Sequence, residues 1–168
     1  MGYILSSLGR LPIEEDVDFY IFLIDSGWYG GLTEIILQNF EKIAEDIGPR
    51  AVIAKGFKKQ SWSDEICEKY FGKKYTTLSK FLPALLITDS HPKRLKSESM
   101  RLLIPIHEVK SHFGTFDLFF SLLTSFVRDK DPEFLERFKN GTNMYEEDLN
   151  ILILEPNVFG IGLNVKNL

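Results

Sequence analysis

Two short polar segments hold the residue types from which hydrolases build a catalytic triad. Asp25-Ser26 and Asp89-Ser90-His91 each follow an apolar run, and together they contain aspartate, serine and histidine. Sites in α/β proteins gather in loops at the carboxyl ends of strands, where both segments are expected to lie. Neither serine has the G-x-S-x-G surroundings of a nucleophile elbow, and helix caps or polar loops explain the same residues. A small hydrolase or nucleotide-binding enzyme that uses the loops at 25–31 and 89–91 is therefore the alternative hypothesis for this chain.

Metal and cysteine chemistry are not indicated by the sequence. His107, Glu108 and His112 lack the H-E-x-x-H spacing, and the two histidines would not share one helical face. The single cysteine, Cys67, cannot form an intrachain disulfide or a cysteine-rich zinc site. Helical periodicity indicates that Cys67 is a half-buried structural residue. We therefore predict no metal site, no cofactor and no catalytic residues.

Length and composition favour one domain that spans residues 1–168. With 44% hydrophobic and 26% charged residues and a net charge of −4, the chain has the composition of a globular protein. The mildly acidic balance argues against a nucleic-acid partner. The longest apolar runs, such as 81–87, are far shorter than the roughly 20 residues that a membrane helix needs. Because the first residues show no signal-peptide pattern, we expect a cytoplasmic protein without a membrane partner.

Hydrophobic periodicity predicts the elements that position the polar segments. A short strand is predicted at 2–8, and the continuous apolar run at 18–25 is typical of a strand buried on both faces. A helical pattern over 32–47 ends at Gly48, and the run at 51–57 is the next strand. The connection between these last two strands is long enough for a parallel crossover.

The next segment predicts one helix and two more strands. The helix is predicted at 64–71, with Ser63 as its N-cap and Gly72 at its end. Apolar runs at 82–88 and 101–106 are the strands. A polar segment that contains proline separates them, so we expect a long hairpin.

The phenylalanines concentrate in one part of the chain, since half of the 14 lie between Phe113 and Phe138. The pattern at 115–129 predicts a helix whose apolar arc fills about half of its circumference. That arc is wider than packing on one sheet face requires. Period-two alternation predicts a C-terminal β-hairpin at 149–166, which would cover the excess. A homodimer through the Phe-rich helix 115–129 is the other explanation.

The order of these elements, together with two local segments, resembles the thioredoxin-like superfamily. The segment W-Y-G-G-L at 28–32 is similar to the active-site segment W-C-G-P-C of that family. Leu82-Pro83 opens a strand where the family has its cis-proline, which faces the active-site loop. The resemblance implies a thioredoxin-like three-layer α/β/α fold with a central mixed sheet. The matching core covers about 18–138, and the C-terminal hairpin is an addition to it.

The departures from the family pattern exclude its usual chemistry. Tyr29 and Leu32 stand at the two cysteine positions, so both the nucleophilic thiolate and the resolving thiol are missing from the motif. We therefore predict a non-redox domain that acts as a protein- or peptide-binding accessory module rather than as an enzyme. A groove is predicted to bind an extended partner segment by main-chain hydrogen bonds, and its residues are Trp28, Tyr29, Gly30, Leu82 and Pro83.

Overall fold

The computed structural model describes residues 1–25, 30–72, 78–97 and 99–141. The strands are β1 (Gly2–Leu5), β2 (Phe19–Ile24), β3 (Ala51–Gly56), β4 (Ala84–Thr88) and β5 (Arg101–Pro105). The α-helices are α1 (Gly30–Gln38), α2 (Phe40–Asp46), α3 (Lys59–Phe71), α4 (Val109–Phe113), α5 (Phe116–Asp129) and α6 (Glu133–Gly141). Short 3₁₀ turns lie at Leu8–Arg10, Ser79–Phe81, Pro92–Arg94 and Ile106–Glu108.

The five strands form one mixed sheet in the order β1-β3-β2-β4-β5. The strands β1, β2 and β3 are parallel, whereas β4 is antiparallel to both β2 and β5. The chain is therefore an α/β protein, as the sequence predicts. The parallel crossover from β2 to β3 and the hairpin of β4 and β5 are confirmed. Each strand lies inside its predicted range and is one to three residues shorter.

Helices cover both faces of the sheet, which is why β2, β4 and β5 are buried along their whole length. Residues three apart on a strand point to opposite faces. On β2, the ring of Phe19 lies 5.1 Å from that of Phe126 in α5. The ring of Phe22 lies 6.1 Å from that of Trp62 in α3. The helices α3 and α5 therefore pack against opposite faces.

The predicted helix at 32–47 is two helices, α1 and α2, that meet at Asn39. The side-chain amide of Asn39 donates to the carbonyl of Ile35 at 2.8 Å, and its backbone leaves the helical region (φ −99°, ψ 4°). Short polar side chains of this kind compete with the helix for backbone groups. The apolar spacing continues across the break, so the sequence pattern predicts one helix where there are two.

Ser63 is not the N-cap of the second predicted helix, and that expectation was wrong. The helix α3 begins one turn earlier, at Lys59, with Lys58 as its N-cap residue. Ser63 lies inside it and is buried, and its hydroxyl bonds to the end of β2 instead. The predicted end is confirmed, because Gly72 closes α3 in the left-handed conformation (φ 60°).

The Phe-rich helix forms as α5, and its apolar stripe faces the core. Thr115 caps it by accepting a hydrogen bond from the N–H of Leu118 at 3.1 Å. Phe119 and Phe126 are buried, and the rings of Phe113 and Phe134 on the neighbouring helices pack against Phe119. Much of the predicted apolar arc is therefore ordinary core. The predicted C-terminal hairpin at 149–166 lies outside the described residues.

Candidate functional site

The register of β2 and β4 brings the two sequence segments of the predicted groove to one end of the sheet. Ile24, the last residue of β2, pairs with Ala84, the first residue of β4. The chain leaves β2 at Asp25 toward α1, and it enters β4 through Leu82-Pro83. The peptide bond between Leu82 and Pro83 is cis. The turn before β4 therefore lies beside the point where the loop to α1 begins.

Backbone hydrogen bonds hold the Leu82-Pro83 turn from both sides. The N–H of Leu82 donates to the carbonyl of Ser79 at 3.2 Å, and the carbonyl of Pro83 accepts from the N–H of Ile106 at 2.9 Å. Both Leu82 and Pro83 are buried. The turn is thus fixed between its own 3₁₀ turn and the end of β5, which gives the candidate groove one rigid wall.

The other residues of the predicted groove precede α1 in the chain or open it. Trp28 and Tyr29 lie outside the described residues, as do Ser26 and Gly27. Gly30 is the first residue of α1. The described residues therefore place Leu82 and Pro83 beside the start of this loop, at Asp25.

The end of β2 is tied to α3 by a buried serine that the sequence did not single out for this role. The hydroxyl oxygen of Ser63 accepts from the N–H of Asp25 at 3.0 Å. The same oxygen lies 2.8 Å from the carbonyl oxygens of Asp25 and Lys59, either of which can accept its hydrogen. In the same turn of α3, the indole N–H of Trp62 donates to the carbonyl of Leu23 at 2.9 Å. Two side chains of one helix thus satisfy backbone groups where the sheet ends.

An ion pair adds to these contacts between the end of β2 and α3. The carboxylate of Asp25 lies 2.9 Å from the ammonium of Lys59, and its side chain is 5% exposed while that of Lys59 is 47% exposed. A buried carboxylate is costly without a compensating charge. Lys59 supplies that charge and keeps its own head partly in water. The ion pair therefore fixes the side chain of Asp25 at the base of the loop to α1.

The residues of the hydrolase hypothesis are not assembled in the described structure. Since β2 and β4 are antiparallel, Asp25 and Asp89 follow opposite ends of the sheet. The five residues of β4 separate them by roughly 17 Å at strand spacing. Both loops lie at carboxyl ends, as predicted, but the mixed sheet places those ends apart.

His91 is a structural residue in this arrangement. Its Nδ1 accepts from the N–H of Lys93 at 3.1 Å, and its Nε2 lies 3.3 Å from the carbonyl of Leu11. Both ring nitrogens are therefore engaged by backbone. Burial lowers the pKa of His91, and the charges of Lys93 and Arg94 act in the same direction. A neutral ring with a proton on Nε2 fits these contacts.

Ser90 has partners other than histidine. Its hydroxyl lies 2.9 Å from a carboxylate oxygen of Asp89 and 2.7 Å from the hydroxyl of Ser99. The same carboxylate oxygen of Asp89 also accepts a hydrogen bond from the N–H of Met100 at 2.9 Å. These bonds close the hairpin between β4 and β5. The polar segment at 89–91 thus shapes a turn.

Cys67 is more deeply buried than the sequence predicts. Its side chain is fully buried in α3. Burial raises the pKa of the Cys67 thiol to about 12, and the nearby charge of Asp64 adds to this shift. At neutral pH the group is therefore a thiol rather than a nucleophilic thiolate.

The described part of the chain holds no group of three or more His, Cys, Asp or Glu side chains suited to a metal ion. Within the same residues, no helix is long and apolar enough to cross a membrane. The ring of His107 lies 3.5 Å from the carboxylate of its neighbour Glu108. The H-E pair in the sequence is thus a contact between adjacent residues.

Two surface depressions in the described residues lie away from the β2–β4 end. One of about 410 Å³ lies between α2 and α5, where Lys42, Asp46 and Arg128 contribute opposite charges. Another of about 490 Å³ lies between α3 and the turns near Leu8 and Pro92. Both are open and of mixed charge, so neither resembles an enclosed catalytic pocket.

Comparison with protein-family models, with curated proteins and with solved structures finds no match to this chain. Assignment of a function therefore depends on the residues and the geometry described above.

Proposed function

We propose that this protein is a thioredoxin-like domain without dithiol chemistry that binds an extended protein or peptide segment. The binding groove is formed by Trp28, Tyr29, Gly30, Leu82 and Pro83. One observation carries the proposal: the Ile24–Ala84 pairing sets the Leu82-Pro83 turn beside the start of the loop that leads into α1, and the W-Y-G-G-L segment spans the junction of that loop with α1.

The order of elements supports the thioredoxin-like assignment. From β2 onward the chain runs strand, helices, strand, helix, antiparallel strand pair and helix, within one mixed sheet. The resemblance to the thioredoxin-like superfamily rests on this order. The cis geometry of Leu82-Pro83 adds a second feature that the family is expected to have at this position.

The absence of redox chemistry is supported by the sequence and by Cys67. Tyr29 and Leu32 occupy the positions of the two family cysteines. Cys67 lies inside α3 with its pKa raised to about 12, so it cannot replace a low-pKa nucleophile. A single cysteine also supports a cytoplasmic location, which is part of the proposal.

A rigid wall favours recognition of an extended segment. Main-chain pairing with a fixed edge loses little entropy on the side of the protein, since the edge is already ordered. The hydrogen bonds that hold Leu82-Pro83 and the contacts of Asp25 with α3 provide that order. Because the N–H of Leu82 and the carbonyl of Pro83 are used in those bonds, the carbonyl of Leu82 is the group of this turn that would pair with a partner segment. Aromatic side chains at 28 and 29 would add apolar contact area to the backbone bonds.

A thiol–disulfide exchange assay tests the chemical half of the proposal. The purified protein should give no turnover in insulin reduction. In the native state, Cys67 should react with a thiol reagent at least about a hundredfold more slowly than after unfolding. Robust insulin reduction would contradict the proposal.

A binding experiment tests the other half. Peptides selected by display against the full chain are titrated against the wild type, Tyr29→Ala and the surface control Leu118→Ala on α5. We expect Tyr29→Ala to weaken binding by about tenfold or more with nearly unchanged melting temperature, while Leu118→Ala binds as the wild type does. If Tyr29→Ala binds normally, or melts several degrees lower, Tyr29 is not part of a peptide-binding groove.

A further inference from the structure

The strand β1 is an edge of the sheet in the described chain, and it carries an exposed apolar surface. Its one neighbour in the sheet order is β3. Ile4 is 60% exposed, and Phe57, directly after β3, is 78% exposed. Exposed apolar side chains beside an open strand edge mark a surface for pairing with another chain.

On the side of β1 that faces away from β3, the backbone groups are oriented so that they can pair with another strand. The carbonyls of Met1 and Leu5 accept from the N–H groups of Ile53 and Phe57, each at 2.8 Å. Because backbone groups alternate in direction along a strand, Gly2 and Ile4 direct their N–H and C=O groups away from β3. The N-terminal ammonium donates to the carbonyl of Ala44 in α2 at 3.2 Å and to that of Ala51, the first residue of β3, at 2.9 Å, so the start of the strand is anchored.

The side chains of β1 complement a copy of the same strand in antiparallel orientation. A two-fold axis at Ile4 sets this residue opposite its own copy, with Tyr3 opposite Leu5 and Gly2 opposite Ser6. Ile4 pairs with Lys55 in the sheet, and Phe57 has the same parity, so both apolar residues lie on one face. Tyr3 and Leu5, both half-buried, form an aromatic–aliphatic pair on the other face.

Charge favours the same orientation. At the amino end of β1, a Cβ on Gly2 would lie 2.8 Å from the Cβ of Ala44, and the exposed Glu41 and Glu45 flank Ala44 on α2. At the carboxyl end, the exposed Lys58 follows Phe57. Antiparallel pairing brings Glu41 and Glu45 of one copy toward Lys58 of the other, which favours this partner and orientation.

We propose that β1 pairs antiparallel with β1 of a second copy, so that the two sheets become one continuous sheet. Ile4 is then buried at the two-fold axis, and Phe57 is buried beside it, two positions further along the same face. This inference is independent of the binding groove, which lies at the end of β2 and β4. It also differs from a dimer through the Phe-rich helix, because α5 is not part of the contact.

Sedimentation velocity on the full chain, from about 1 to 200 μM, tests the pairing. The wild type should form a dimer in this range. Ile4→Lys and Phe57→Ser should each raise the dimer dissociation constant by about tenfold or more and leave the circular dichroism spectrum unchanged. Leu118→Ser, the matched apolar change on α5, should leave the dimer intact.

A charge reversal tests the orientation. Glu45→Lys and Lys58→Glu should each weaken the dimer, and the double variant should recover most of the loss, because the two positions then exchange sign across the axis. A wild type that remains monomeric at the highest concentration overturns the proposal. Loss of the dimer in Leu118→Ser but not in Ile4→Lys overturns it as well and assigns the contact to α5.

Discussion

The end of β2 and the edge at β1 are both boundaries of one sheet, and they are built in opposite ways. At the end of β2, polar groups are buried, and the backbone groups of Leu23 and Asp25 bond to side chains of α3. At β1, apolar side chains are exposed and backbone groups point outward. Phe57 and Trp62 are five residues apart, but they are 78% and 1% exposed. Buried polar contacts fix a position, whereas exposed apolar contacts favour association.

The largest expected effect separates these two aromatic residues. Trp62→Ala removes a buried ring and its hydrogen bond to Leu23, so we expect a loss of about 3–5 kcal/mol in the free energy of unfolding. Phe57→Ala should change the stability of the monomer by less than about 0.5 kcal/mol. Urea denaturation at low protein concentration measures both. Equal losses would mean that the two regions do not differ as described.

Substitution of the two partners of the ion pair at the end of β2 should lower the free energy of unfolding by different amounts. Lys59→Met removes the ammonium from a buried carboxylate, so we expect a loss of about 1–2 kcal/mol. Asp25→Asn leaves Lys59 in a half-exposed position where water can solvate it, and the loss should be smaller. Chemical denaturation of the two variants gives the comparison. A larger loss for Asp25→Asn would show that Asp25 is stabilised chiefly by groups other than Lys59.

The smallest expected effect is a pH dependence at His91. The pKa of His91 is lowered in the folded state from its usual 6.5, so the unfolded chain binds a proton first. Stability should therefore fall as the pH drops from 7.5 through 6.5, and this loss should level off below the folded-state pKa. Thermal unfolding between pH 7.5 and 5.5 measures it, above the range where carboxylates titrate.

Two variants test whether His91 is the source of that pH dependence. His91→Asn can still accept from Lys93 but loses the bond to Leu11, so it should be about 1 kcal/mol less stable and its stability should no longer fall over this range. His107→Gln, at an exposed histidine, should keep the wild-type slope. An unchanged slope in His91→Asn would assign the titration to another group.

Much of the fold could be predicted because its signals are local. The buried strand β2, the glycine that ends α3 and the Phe-rich helix α5 each follow from residues within one element. The break at Asn39 was missed because the apolar period runs through it. Ser63 was misread because a serine before a helical pattern has the same sequence signature whether it caps that helix or bonds to a neighbouring strand.

The candidate site was harder to predict, since it depends on which strands pair. The antiparallel direction of β4 brings Leu82-Pro83 to Asp25 and sends His91 to the far end of the sheet. Nothing within either segment encodes that direction. Trp62 and Lys59 were missed for a related reason: their roles appear only when the end of β2 lies against α3.

A residue-resolved NMR titration with the tightest selected peptide tests the central claim most directly, because it asks where an extended segment binds. We expect the largest amide shift changes at Gly30, Gly31, Leu82 and Ala84, with little change in β1. Changes concentrated at Tyr3–Leu5 or on α5, with those four amides unmoved, would contradict a binding groove where β2 ends and β4 begins.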